Sequence, residues 1–369
     1  MESKQPQTSA QVPIKTDKAS NVQSNLASQP SQPPVSSVLH PITPEQPPLN
    51  PALAFRIKSS SEPYNVYEES FPQYGKEEPG QHYRLENNRL LAQPVNREEN
   101  SVLIICVFND AESWGKNRTI VDFFELVKSF NYPKEKVSIA LLTSSASEYV
   151  KVKEHYGHYI NLYPRLSVIF RNDFALSGVT RENRHSISLQ ANRRRMIARY
   201  RNYALMLTLE TWHQHVVWLD ADIKVIPPHL LSRMVYSGLD ILTPACYAIF
   251  RGRWMYYDQN AWLGQRIVRP PNHGEQTFLP GPLNVAFLSQ VDQSKPYTPL
   301  DSVGGTMLYV RADVHRQGVL FPVHYIIGSE WGREGYDGIE SEGLCYIAHF
   351  LGFKCWGMAN ETIVHTDEK

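Results

Sequence analysis

VVWLDADIKVIPPHL, residues 216–230, joins four apolar residues to two carboxylates set one residue apart. Val216 to Leu219 reads as a buried strand, and Asp220 and Asp222 stand where it ends. Pro227-Pro228 then stops the extended segment and opens a helix at about His229. In open α/β sheets the ligand crevice lies outside the carboxyl ends of the strands. Two acids there suit a hard divalent cation such as Mn²⁺ or Mg²⁺, which takes oxygen ligands and commonly shares them with a phosphate. The plainer alternative makes Asp220 a turn residue and Asp222 a solvated one.

The 369 residues carry 37 basic and 37 acidic side chains, so no bulk field favours nucleic acid or an acidic membrane. No apolar run reaches the length of a membrane span, and the N-terminus has no apolar core like that of a signal peptide. Cys106, Cys246, Cys345 and Cys355 fall at no metal-ligand spacing. Cys106 lies in an apolar strand as a free thiol, and Cys345 and Cys355 could pair in an oxidising compartment.

Residues 1–97 hold 14 of the 26 prolines and no glycine before Gly75, and they lack apolar periodicity. Such a segment cannot bury enough apolar surface to offset its ordering entropy, so residues 1 to about 60 read as disordered. Residues 61–97, with more aromatics, read as a partly ordered strap, and residues 98–369 as the folded domain. There, buried strands at 101–108, 136–145, 166–170 and 216–219 alternate with helices at 119–130, 147–157 and about 187–212. Further strands are expected at 240–243, 306–310 and 361–365, and a helix at 341–351. The alternation predicts an α/β fold with a Rossmann-like, mostly parallel sheet covered by helices. Neither a G-x-G-x-x-G nor a Walker motif is present, which counts against dinucleotide oxidoreductases and P-loop NTPases.

Several constellations surround the Asp220 pair. The helix before it carries Arg194, Arg195, Arg199, Arg201 and Asn202, and positions 195, 199 and 202 share a face. A guanidinium facing a crevice can grip a diphosphate, while Arg193 and Arg194 read as a solvated basic face. YYDQNAW (256–262) is a polar-aromatic loop, either a sugar platform with Asp258 on the hydroxyls or an aromatic cluster with Asp258 as a turn cap. Asp301 and Gly304-Gly305 precede a strand, where glycines allow close approach or positive φ. Glu340 and Glu342 open a helix, as acids favourable at its N-terminus or as acceptor contacts. His365 is a lone histidine near the end of the chain, structural unless it folds over the crevice. Asn117-Arg118-Thr119 and Asn360-Glu361-Thr362 are glycosylation sequons.

In this order the motifs resemble the fungal mannan-polymerase subunits, the Golgi α-mannosyltransferases of glycosyltransferase family 62. The likeness runs over about residues 101–368, and GGTMLYVRADVHRQG (304–318) is its most distinctive block. It implies a GT-A fold that transfers mannose from GDP-mannose to an α-mannoside, with Mn²⁺ and retention of configuration. Position by position it implies Asp220 and Asp222 as the metal motif, Asp222 the more direct ligand, with His365 completing it. Arg201 would face the donor phosphates or the reacting centre, and Asp258 the anomeric carbon. Arg199, Asn202, Gly304 and Gly305 would serve binding, and Asp301, Glu340 and Glu342 would line the acceptor side. Association with related mannosyltransferases and residence in the Golgi lumen are implied too, whereas an unanchored chain, if complete, would be cytoplasmic. Ser302 stands for a usual glycine and Tyr200 for a usual small residue.

The alternatives are a non-catalytic GDP-sugar-binding or scaffold subunit, cytosolic mannosylation of a small molecule, and a phosphatase-type hydrolase. The last wants small residues after its second Asp, and Ile223-Lys224 stand there instead.

Overall fold

A computed structural model describes residues 63–176, 186–264 and 284–366, the backbone of Arg56–Ser61, and positions 178 and 183. They lie in one compact unit, Leu49–Lys369. The tail expected over residues 1 to about 60 lies outside the described residues, apart from part of the first strand.

Three antiparallel strands come first: β1 (Arg56–Ser61), β2 (Tyr64–Phe71) and β3 (Gly80–Asn87). Two short helices follow, α1 (Asn88–Leu91) and α2 (Pro94–Glu98). This is the segment expected as a strap, and it is instead built into the sheet, β3 pairing with β6 (Arg165–Phe170). The folded part therefore begins well before residue 98. Its strands escaped notice because β2 is half-buried along nearly its whole length and shows no apolar alternation.

The centre follows the expected alternation. β4 (Val102–Phe108), α3 (Ile120–Lys128), β5 (Val137–Thr143), α4 (Ala146–Tyr159), β6, α5 (Ile187–Thr208) and β7 (His215–Leu219) succeed one another. Their strands lie parallel in the order β6-β5-β4-β7, and every residue of β5, β6 and β7 is buried. Helices on both faces bury such strands, hence their unbroken apolar runs. Ile104, Cys106 and Val217 pack against Phe123, Phe124 and Tyr156 on one face. Leu103, Ile105, Val216 and Trp218 pack against Ala198 and Leu205 on the other.

Beyond β7 the sheet becomes mixed. β8 (Ile223–Val225) and α6 (Leu230–Val235) precede β9 (Ile241–Phe250), which turns back as β10 (Arg253–Tyr256). Short strands β11 (Trp262–Gly264), β12 (Val285–Phe287) and β13 (Thr298–Leu300) lead to β14 (Met307–Arg311) and α7 (Ala312–Arg316). Helix α8 (Ser341–Phe350) and β15 (Cys355–His365) complete the unit. Among the described residues the main sheet has 13 strands, ordered β1-β2-β3-β6-β5-β4-β7-β14-β9-β15-β13 with β10 on β9 and β8 on β15. β14 runs antiparallel between β7 and β9, and β15 lies parallel to β9. β15 exceeds the expected 361–365 because Gly357, Asn360 and Glu361 interrupt its apolar pattern. A Cys345–Cys355 disulfide joins α8 to β15, while Cys106 and Cys246 are buried free thiols. No helix among the described residues is long and apolar enough to cross a membrane.

Candidate active site

The site forms where β7 and β15 end and β14 begins. The Asp220 amide donates to the Thr306 carbonyl at 2.9 Å, which continues the β7–β14 ladder by one step. Asp222 is held from the other side, its carbonyl accepting from the Thr366 amide at 2.8 Å beside the His365↔Ile223 pairing of β15 with β8. This brings His365 Nε2 to 3.0 Å from Asp222 Oδ1. Tyr257 stacks on the imidazole at 4.0 Å, and Nδ1 lies 2.8 Å from the Thr366 carbonyl, leaving Nε2 to face Asp222. Burial opposes a charge on His365, but the hydrogen bond and charge of Asp222 outweigh it and raise its pKa.

Arg201, from the middle of α5, is 6% exposed and bound on three sides. Its guanidinium donates to Glu340 Oε1, to Asp220 Oδ1 at 3.1 Å and to the Gly305 carbonyl at 3.1 Å. Burial costs the cation, yet Glu340, Asp220 and Asp258 outweigh that cost and raise its pKa. Asp220 is raised to about 7, burial outweighing the pull of Arg201. Arg201 is thus a clamp between two carboxylates rather than a free arm reaching for phosphate. Glu340 holds φ 59°, in the left-handed region that non-glycine residues seldom adopt. Its Oε2 accepts from the Ser341 hydroxyl at 2.8 Å.

Asp258 is nearly buried, and Thr306 fixes it by its amide (3.1 Å) and hydroxyl (2.6 Å), both donating to Oδ2. The glycine pair explains itself here. A Cβ on Gly304 would sit 2.0 Å from Asp258 Oδ2, and one on Gly305 2.8 Å from Arg201 Nη1. Neither needs positive φ; close approach is their role.

An open cleft of 980 Å³ runs across these ends. Asn109, Asp110 and Ser144, at the ends of β4 and β5, line one part of it. Arg194, Arg201, Asp220, Asp222, Asp258, Gly305 and Glu340 line the rest. Six sequence candidates fall outside its lining: His365, which meets it through Asp222, Gly304, which lies behind Asp258, and Asn202, Arg199, Asp301 and Glu342. Asn202 braces the chain, exchanging hydrogen bonds with the Phe321 carbonyl (2.8 Å) and amide (3.0 Å). Arg199 is exposed and lies over Phe174 at 3.9 Å. Asp301 is exposed and accepts from the Gly264 amide at 2.7 Å as a turn closer. Glu342, 1% exposed, pairs with Arg194 at 3.1 Å. Arg194, read as solvated, is instead buried and on the cleft wall. Helical spacing alone could not tell which side of α5 meets the cleft. Tyr256 and Tyr257 of the loop line the cleft, Tyr257 with one face stacked on His365, whereas Trp262 is buried.

Asp222 and His365 fit a divalent cation. Their 3.0 Å separation is what adjacent ligands have when each stands about 2.1 Å from an octahedral ion. One imidazole and one carboxylate suit Mn²⁺ and leave positions for water and phosphate oxygens. Asp220 is turned to Arg201, and among the described residues no group of three His, Cys, Asp or Glu converges.

The Anp1 family model matches residues 79–269 and 283–324. The mannan polymerase complex subunit mnn9 of Schizosaccharomyces pombe is 25% identical over 297 residues, 75% of this chain and 83% of that protein. The mannan polymerase II complex anp1 subunit of the same yeast is 26% identical, over 67% of this chain and 60% of its own length. The Saccharomyces cerevisiae mannan polymerase I complex VAN1 subunit is 24% identical, over 54% of this chain and 38% of its own length. A solved mannosyltransferase from Pyrobaculum calidifontis, in complex with GDP-Man and Mn²⁺, overlaps with a TM-score of 0.43 at 13% identity. That overlap covers 75% of this chain and 61% of the other. The chain belongs to the Anp1 family of fungal mannan-polymerase subunits, and with it to the glycosyltransferases.

Proposed function

We propose that this chain is a metal-dependent, retaining mannosyltransferase that moves mannose from GDP-mannose onto an α-mannoside. The observation that carries the reading is the pairing of Asp222 with His365 at the edge of a cleft that also holds Asp258 and the Arg201 clamp. A divalent cation held there would supply Lewis-acid stabilisation of the departing diphosphate. The protein's own groups do the rest. Arg201 keeps Asp220 and Glu340 in fixed places, so the carboxylates need no reorganisation as charge develops. Asp258, locked by Thr306, presents a carboxylate to the oxocarbenium-like sugar. The bond from the anomeric carbon to the phosphate oxygen breaks, and its electron pair leaves with GDP. The acceptor oxygen attacks the same face, and its proton passes to the departing phosphate.

The same reading gives the chain related subunits as partners, as the names of its relatives suggest for those proteins. It sets the chain in the Golgi lumen, where the Cys345–Cys355 disulfide would persist.

The test supplies purified protein with Mn²⁺, labelled GDP-mannose and α-mannosyl acceptors, beside Asp222→Ala and His365→Ala. Transfer falls by about 100-fold or more in both variants. Transfer that survives both substitutions sinks the metal assignment. Absence of donor binding in the wild type favours a non-catalytic subunit.

A further inference from the structure

Arg194 lies two turns before Arg201 on α5, and no feature of its local sequence sets it apart from its basic neighbours. It is 9% exposed, although a buried guanidinium must be paired to be tolerated. Two of its partners come from different parts of the chain. Glu342, in the first turn of α8, lies 3.1 Å from Nη1, and Asn260 Oδ1 accepts from Nη2 at 3.1 Å. Each partner leads on to a group already placed at the site. The Asn260 amide donates to Asp258 Oδ1 at 3.3 Å, and its side chain lies 3.5 Å from the Ser341 hydroxyl. Ser341 in turn donates to Glu340, which holds Arg201. A continuous polar chain thus runs from Glu342 through Arg194, Asn260, Ser341 and Glu340 to Arg201 and Asp220.

We infer that Arg194 is a positioning residue of the transfer site, tying the Asp258 loop and the start of α8 to the helix that carries Arg201. The need for such a tie is local. Glu340 sits at φ 59° directly before α8, a conformation that persists only where the surroundings over-determine it. The Asp258 loop follows β10, a strand that among the described residues pairs with β9 alone. Without Arg194 the two segments keep their own anchors, Thr306 for Asp258 and Arg201 for Glu340, but the link between them shrinks to the 3.5 Å contact of Asn260 with Ser341. Asp258 and Glu340 would then remain present and drift by fractions of an ångström.

The inference rests on the transferase reading, so the experiment has two separate readouts. Arg194→Ala and the milder Asn260→Ala are compared with wild type, first by amide hydrogen exchange. Exchange rises at least about 10-fold in residues 256–262 and 338–344 and stays unchanged in β4 and β5. Steady-state transfer from GDP-mannose follows. For Asn260→Ala kcat falls about 10- to 100-fold, with KM for both substrates within about two-fold. Arg194→Lys, which keeps the charge and one contact, loses less kcat than Arg194→Ala. Unchanged exchange in both segments overturns the inference, whether or not the wild type transfers mannose. With altered exchange, kcat values near wild type overturn it as well. A raised acceptor KM at constant kcat would make Arg194 a binding contact instead. An inactive wild type with altered exchange in the variants would sink the transferase reading and leave the tie standing.

Discussion

At the scale of single residues, the site depends on what is missing as much as on what is present. Gly304 and Gly305 are empty spaces into which Asp258 and Arg201 press. Gly304→Ala sets a methyl 2.0 Å from the Asp258 carboxylate, against a backbone fixed by β14. Asp258 must leave Thr306, and transfer is expected to fall about 100-fold while the cooperative thermal transition remains. Kinetics beside a calorimetric scan check this, and full activity in Gly304→Ala would refute the contact. The sequence made the glycine pair conspicuous but could not say why it was there. Asp222 stood out because an apolar strand run ends just before it, whereas His365 alone read as structural and entered only through the family resemblance. Arg194, Arg199 and Asn202 were misread because α5 touches protein on several sides, and helical phase alone does not reveal which side faces the cleft.

At the scale of elements, β4 to β7 were readable because strands buried on both faces carry unbroken apolar runs. β2 and β3 were not, since β2 is half-buried along most of its length and β3 buries polar side chains such as His82 and Glu86, so neither gives an apolar period. The Cys345–Cys355 bridge was also left open, because spacing alone does not bring two thiols together. The structure sets their Cα atoms 6.1 Å apart across the turn from α8 into β15. Closing so short a loop limits what the bridge can contribute to about 2–3 kcal/mol. Cys345→Ser should lower the urea midpoint accordingly, with the m-value unchanged. An unaltered midpoint would show that α8 and β15 are held by packing alone.

For the molecule as a whole, acid is the telling perturbation. Burial, with Arg84 and Arg165 adding to it, pushes His82 down to about 3. Burial, helped by Arg311, pushes His215 to about 4, and burial takes His315 to about 4 against a hydrogen bond with Val319. All three stay neutral in the folded chain, whereas the unfolded chain protonates them at about 6.5. Unfolding therefore takes up protons below that pH, so stability is fully present above it and declines as pH falls towards the folded values. Each histidine can contribute a slope of up to about 1.4 kcal/mol per pH unit. Denaturant titrations at pH 7.5 and 5.5 should differ by a few kcal/mol, and equal values would contradict neutral burial.

The position of β15 has a further consequence. Its imidazole meets a carboxylate contributed from much earlier in the chain, Asp222, and the meeting requires β8, β9 and β15 to be paired. A molecule whose sheet stops short of β15 has strands, helices and an Asp222, but no imidazole beside that carboxylate. Any cation or donor that engages this pair thus binds only fully assembled molecules, and by mass action it draws the folding equilibrium towards them. Occupancy of the site would then act as a checkpoint, separating finished molecules from those that are merely compact.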